Sequence, residues 1–159
     1  MIVICLNGSI NSGKTTIGRA LAAALPDAAF IDGDDHDAPD NVEFDVMLDI
    51  ALSRLEREIA GARVAHLVVA YPLRNEDHAR LAAAAAARGA RLFVATLAPP
   101  LDVVLADRGE RKLDDEERER IRQMYDEGYA DRSFSRVILR QPAAPAALVQ
   151  TLRAAIEAF

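Results

Sequence analysis

Lysine is nearly missing from this 159-residue chain. Arginine is plentiful, yet the only lysines are Lys14 and Lys112. Where arginine serves for almost every base, a lysine marks a place that wants a compact ammonium. Cysteine is scarcer still. Cys5 stands alone inside an apolar run, which gives no disulfide framework and points to a reducing compartment and a small core residue. A long hydrophobic run is absent too. The first apolar stretch ends after six residues and carries no basic flank, so neither a signal peptide nor a membrane span is expected, and a cytoplasmic location is. Positive charge is in deficit, with a formal net charge of −6. That excludes the basic face a general nucleic-acid or membrane-surface binder needs. No internal repeat or linker interrupts the chain, whose length suits one domain, residues 1–159, acting as a monomer or weak homodimer.

What is present is an ordinary globular composition, 51% hydrophobic and 28% charged, arranged in alternating periods. Met1–Leu6 is a continuous apolar run, as expected of a parallel strand buried on both faces. Thr15–Leu25 follows with helical spacing at Ile17, Ala20, Leu21, Ala24 and Leu25, stopped by Pro26-Asp27. Further strands are expected at Ala28–Ile31, Ala65–Ala70, Arg91–Leu97 and Arg136–Leu139. Helices are expected at Glu43–Ala60, Asn75–Arg88, Pro99–Asp107, Leu113–Tyr129 and Pro145–Ala158. This order predicts an α/β fold, a five-stranded parallel sheet with helices on both faces.

Between the first strand and the first helix lies Gly8-Ser9-Ile10-Asn11-Ser12-Gly13-Lys14-Thr15, the pattern Gly-x4-Gly-Lys-Thr of a phosphate loop. At average composition such an octapeptide arises by chance in roughly one chain in two hundred, and the strand–helix context makes chance rarer. Glycine lets backbone approach phosphate closely, while successive N–H groups and the helix N-terminus supply partial positive charge. Lys14 reaches the terminal phosphates, and Thr15 offers a hydroxyl to Mg²⁺. Residues 8–15 together with Thr16 are therefore expected to bind ATP. Asn7-Gly8-Ser9 also fits a glycosylation acceptor pattern, without meaning in a cytosolic chain.

The second strand runs into Asp32-Gly33-Asp34-Asp35-His36-Asp37. Ligands bind at that edge of an open parallel sheet. Asp34 is expected to deprotonate a substrate hydroxyl and Asp32 to stand on the metal side, although either could be the base. A calcium loop with Asp32, Asp34 and Glu43 as ligands fails because Asp37 stands where glycine is needed. His36 reads as a polar loop residue. The third strand ends without the metal-holding Asp of many phosphate-loop enzymes, at Val69-Ala70-Tyr71-Pro72, which leaves that role to the Asp32–Asp34 pair. Arg74, just beyond, is a candidate for contact with an anionic or polyol substrate. Arg108 and Arg111 are candidates for closing over the phosphates, with Gly109 and Gly128 as hinges or helix caps. The run Asp114–Arg122 otherwise resembles a solvated helix laced with i,i+4 pairs. An Asn-Lys-x-Asp guanine loop is absent, since Arg111 precedes the second lysine.

The phosphate loop, the Asp32-x-Asp34 pair, the Arg108–Arg111 region and a final strand leading to Arg140-Gln141-Pro142 occur in the order found in small phosphate-loop kinases. The chain resembles those of the shikimate and gluconate kinase type over nearly its whole length. The resemblance implies strand order 2-3-1-4-5 and a mobile lid near 108–135. It also implies adenine held between Arg108 and the Arg140–Pro142 loop, and transfer of the γ-phosphate of ATP, with Mg²⁺, to a small-molecule hydroxyl. Shikimate kinases carry a glycine triplet where this chain has Ala70-Tyr71-Pro72, so the acceptor is not expected to be shikimate. The alternative is a nucleotide-binding ATPase module or sensor that phosphorylates nothing.

Overall fold

The computed structural model describes residues 1–35, 38–39, 41–108 and 111–159. His36, Asp37, Asp40, Gly109 and Glu110 lie outside the described residues, so the loop role of His36 and the hinge role of Gly109 remain expectations. Strands β1 (Ile2–Asn7), β2 (Ala28–Asp32), β3 (His66–Ala70), β4 (Arg91–Leu97) and β5 (Val137–Leu139) form one parallel sheet in the order β2-β3-β1-β4-β5. The intervening helices are α1 (Lys14–Ala24), α2 (Phe44–Gly61), α3 (Asn75–Ala87), α4 (Leu101–Leu105), α5 (Asp115–Asp126) and α6 (Pro145–Glu157).

The apolar run of β1 explains the three layers. Val3 and Cys5 point into one core with Leu52, Leu55 and Ile59 of α2 and Leu81 and Ala85 of α3. Ile4 and Leu6 point the other way, onto Ile17 and Leu21 of α1 and Leu152 and Ile156 of α6. A strand covered on both faces has no room for polar alternation. A third, small cluster, Val104, Leu113 and Ile121, joins α4 to α5 apart from both main cores.

Two helices are shorter than their periods predict. Residues before proline avoid the helical region, and α4 begins only after Pro99-Pro100, with Pro100 extended at its N-cap. At α5 Asp114 caps the N-terminus, accepting from the Glu117 amide at 2.7 Å, so Leu113 stays outside. Its other end is closed by Gly128. The φ of +78° and the bond from the Tyr129 amide to the Met124 carbonyl at 3.0 Å make Gly128 a helix cap.

One row of the sheet runs Asp32, Ala70, Leu6, Ala95, Val137. The chain therefore leaves β1 for the phosphate loop, and β2 for the acidic turn, at the same edge. That juxtaposition positions the site.

Candidate functional site

The phosphate loop is fixed from beneath. Gly8 has φ +145°, and a Cβ there would stand 2.4 Å from the Leu97 carbonyl oxygen. Only glycine meets both demands. Asn7, fully buried, ties four segments together. Its side-chain amide donates to Thr96 Oγ1 at 2.9 Å and to the Tyr129 carbonyl at 3.1 Å, and its Oδ1 accepts from the Leu73 amide at 2.9 Å. The sequence marks Asn7 only through the glycosylation pattern and not through this anchoring role. The available signal was a polar residue ending an otherwise apolar central strand.

α1 opens at Gly13 with no side-chain cap and no acid in its first turn. Its first amides are left for an anion. Lys14 is 9% exposed, and its ammonium donates to the carbonyls of Gly8 at 3.1 Å and Ser9 at 2.7 Å. Burial pulls it down from its usual value to about 8, against the opposing pull of Asp34 and Asp32. Ser12 Oγ is buried with no hydrogen-bond partner among the described residues. A cationic, donor-rich hollow holding an orphaned hydroxyl fits a triphosphate.

Thr15 Oγ1 donates to Asp32 Oδ2 at 3.0 Å, while Asp32 Oδ1 accepts from the Asp34 amide at 3.3 Å. The two residues read as metal ligands thus meet. One carboxylate and one hydroxyl, both hard oxygen donors, fit a Mg²⁺ that takes its other ligands from phosphate and water.

These residues open onto a cavity of about 860 Å³. It is lined by Ile10–Ile17 of the loop and α1 with Pro99, Val103, Arg108, Arg111, Gln141 and Pro142, and also by Asp34, Phe44, Met47, Tyr71, Arg74, Asp77, Arg120 and Tyr129. Arg108 donates to the Asn11 carbonyl at 3.1 Å, and Asn11 in turn caps α4 by donating to the Val104 and Ala106 carbonyls at 2.9 and 3.0 Å. Arg111 is bridged to Arg108 through the backbone and pairs with Glu117 at 2.8 Å.

Two predicted residues sit differently from their simplest reading. Arg74 does line the cavity, but its guanidinium is held by Asp77, with Nε at 3.0 and 3.2 Å and Nη2 at 2.9 Å from the carboxylate oxygens. Arg140 is turned away. Its Nη2 pairs with Asp131 at 2.9 Å, and its neighbours Leu139, Gln141 and Pro142 line the cavity in its place. Phe44, Met47, Asp77, Arg120 and Tyr129 had not been singled out, because only the fold brings α2, α3 and α5 to one hollow.

Tyr71 is 2% exposed, and its hydroxyl has no hydrogen-bond partner among the described residues. Burial raises its pKa, keeping the phenol protonated. No helix of the described residues is long and apolar enough to cross a membrane.

No protein-family model matches the chain, and no curated protein matches it in sequence. Solved structures do match in shape. A gluconokinase from Sinorhizobium meliloti 1021 superposes with a TM-score of 0.76 at 20% identity, over 98% of this chain and 91% of that one. A shikimate kinase from Aquifex aeolicus gives 0.69 at 17% identity over 98% and 96%. A tunicamycin resistance protein from Deinococcus radiodurans gives 0.68 at 19% over 97% and 94%. The chain shares with them the three-layer α/β/α fold and the strand order 2-3-1-4-5.

Proposed function

We propose that the protein is a small-molecule kinase, transferring the γ-phosphoryl group of ATP to an alcohol. The observation that carries this reading is one continuous cavity with a phosphate loop at one end, Asp34 beside it, and room for a second small molecule beyond. The shared fold with the gluconokinase and shikimate kinase structures supports it.

In this reading the loop amides and Lys14 bind and orient the β- and γ-phosphates. Thr15 and Asp32 hold Mg²⁺, which screens charge on the phosphate oxygens. Asp34 accepts the proton of the acceptor hydroxyl as its oxygen bonds to the γ-phosphorus and the bond to the ADP oxygen breaks. Arg108 and Arg111 stabilise charge on the transferring group. Residues 108–135 act as a lid. Its Leu113 and Ile121 pack on Val104 of α4, apart from both main cores, while Tyr129 and Ser135 anchor its far end to Asn7 and Thr96. Gln141 and Pro142 flank the adenine, with Arg108 over it. The reaction belongs to the cytoplasm.

The test is Asp34→Asn assayed with ATP and a panel of polyols, sugar acids, nucleosides and antibiotics. The expected result is a fall in kcat of about a hundredfold or more with ATP affinity held within about twofold. A variant that loses ATP affinity and keeps its turnover would move Asp34 into a binding role.

A further inference from the structure

The cations of the cavity fall into two sets. Lys14 belongs to the phosphate loop, Arg108 donates to the Asn11 carbonyl of that loop, and Arg111, itself paired with Glu117, is bridged to Arg108. Arg74 and Arg120 border a second hollow together, and each is answered by a carboxylate. Arg74 is locked to Asp77, whose side chain is 1% exposed. Arg120 is bidentate to Glu127, at 2.7 and 3.2 Å, with Gln123 Oε1 3.4 Å from Nη1. Arg120, Glu127 and Arg74 also border a hollow of about 450 Å³ that shares Phe44 and Tyr129 with the main cavity.

An acceptor carboxylate arriving here gains little. Arg74 and Arg120 each hold a carboxylate already, so a second one reaching their remaining N–H groups meets a pair with no net charge and the repulsion of Asp77 or Glu127 beside it. It also approaches Asp34, an anion with no arginine or lysine within ion-pairing distance among the described residues. An uncharged molecule meets none of these costs. The guanidinium N–H groups not used on Asp77 and Glu127 donate to its neutral oxygens without that repulsion.

The walls fit the same kind of molecule. Met47, Leu48 and Met124 line the cavity, and Phe44 stands 58% exposed on its border. A large exposed aromatic beside a cavity is apolar surface available to a ligand.

We propose that the acceptor is an uncharged alcohol with an apolar body, and that the paired Arg74–Asp77 and Arg120–Glu127 select against acceptors bearing a carboxylate. This rests on the phosphotransfer reading above. Such an acceptor lacks the carboxylate that gluconate and shikimate, the acceptors named for two of the similar structures, both carry.

The experiment compares matched acceptors differing in that one group: phenyl β-glucoside against phenyl β-glucuronide, methyl shikimate against shikimate, and glucitol against gluconate. Phosphorylated product is followed by mass spectrometry with ATP and Mg²⁺. The expected result is kcat/KM at least about tenfold higher for the uncharged member, with phenyl glucoside ahead of glucitol. Glu127→Gln, which frees Arg120, is expected to move the ratio toward the carboxylate by about tenfold. Preference of the unaltered protein for the carboxylate members overturns the acceptor class and leaves phosphoryl transfer standing. An unchanged ratio in Glu127→Gln, with ATP protecting the variant against urea as it does the parent, overturns the selecting role of the pair. Protection by ATP with no product from any acceptor overturns the kinase reading, and the acceptor class with it.

Discussion

Replacing Lys14 by methionine is expected to abolish phosphoryl transfer and yet make the fold more stable at neutral pH. The residue is 9% exposed, and enclosure lowers the pKa of its ammonium from 10.5 to about 8. At 1.36 kcal/mol per pH unit that gap is worth about 3 kcal/mol. Below pH 8 the lysine is charged in both states, and the folded state bears the whole cost of burying the charge. Between pH 8 and 10.5 the unfolded chain binds more protons than the folded one, so stability rises with pH and the cost disappears. Methionine fills a similar volume without charge. It also gives up two hydrogen bonds, to the Gly8 and Ser9 carbonyls, at roughly 1 kcal/mol each. The net gain at pH 7 is then about 1 kcal/mol, a rise in Tm of about 2–4 °C for a chain of this size. Near pH 10 the sign reverses, because the charge cost has largely gone and the lost hydrogen bonds remain. Urea unfolding of both proteins at pH 7 and about pH 10, followed by circular dichroism, measures the difference directly. ATP with Mg²⁺ should raise the midpoint of the parent and leave the variant unmoved. A variant clearly less stable than the parent at pH 7, or a difference that does not change with pH, would refute the reasoning.

Two further outcomes follow from geometry. Gly8→Ala places a methyl group 2.4 Å from the Leu97 carbonyl at φ +145°, so a loss of about 3 kcal/mol or more is expected; urea unfolding within about 1 kcal/mol of the parent would show that the loop yields. Arg108→Ala is expected to raise KM for ATP about tenfold, whereas Arg140→Ala, which removes only a pair with Asp131, should leave it within about twofold; steady-state kinetics showing the opposite order would place the adenine against Arg140.

The parts of this molecule visible in the sequence are those that depend on short-range pattern. β1 is legible because both its faces are buried, which forces an unbroken apolar run. The loop after it is legible because backbone cradling of phosphate demands glycine at fixed spacing. The meeting of Thr15 and Asp32 is legible because Thr15 opens the helix that follows β1 and Asp32 ends β2, and the parallel topology brings both to the same edge of the sheet. α4 is shorter than the expected Pro99–Asp107 because two consecutive prolines postpone its first turn.

What the sequence does not display is which charge answers which. Asp77 is an unremarkable acid in the first turn of α3 until the fold buries it under Arg74. The charged helix α5 suggests i,i+4 pairs, yet Arg120 reaches Glu127 beyond the helix end and Arg118 reaches Asp107 before it begins. Arg140 is drawn off by Asp131 across a gap that no periodicity marks. These pairings decide the character of the site. A count of cations near the sheet edge makes the acceptor end of the cavity look like a receptor for anions. Once Asp77, Glu127 and Glu117 are assigned to Arg74, Arg120 and Arg111, the cations without an ion pair among the described residues of the cavity are Lys14 and Arg108, both at the phosphate loop. The acceptor end is left with neutralised guanidiniums, a carboxylate that no arginine pairs among the described residues, and an apolar wall. The distribution of pairing, more than the inventory of residues, determines which alcohol can approach Asp34.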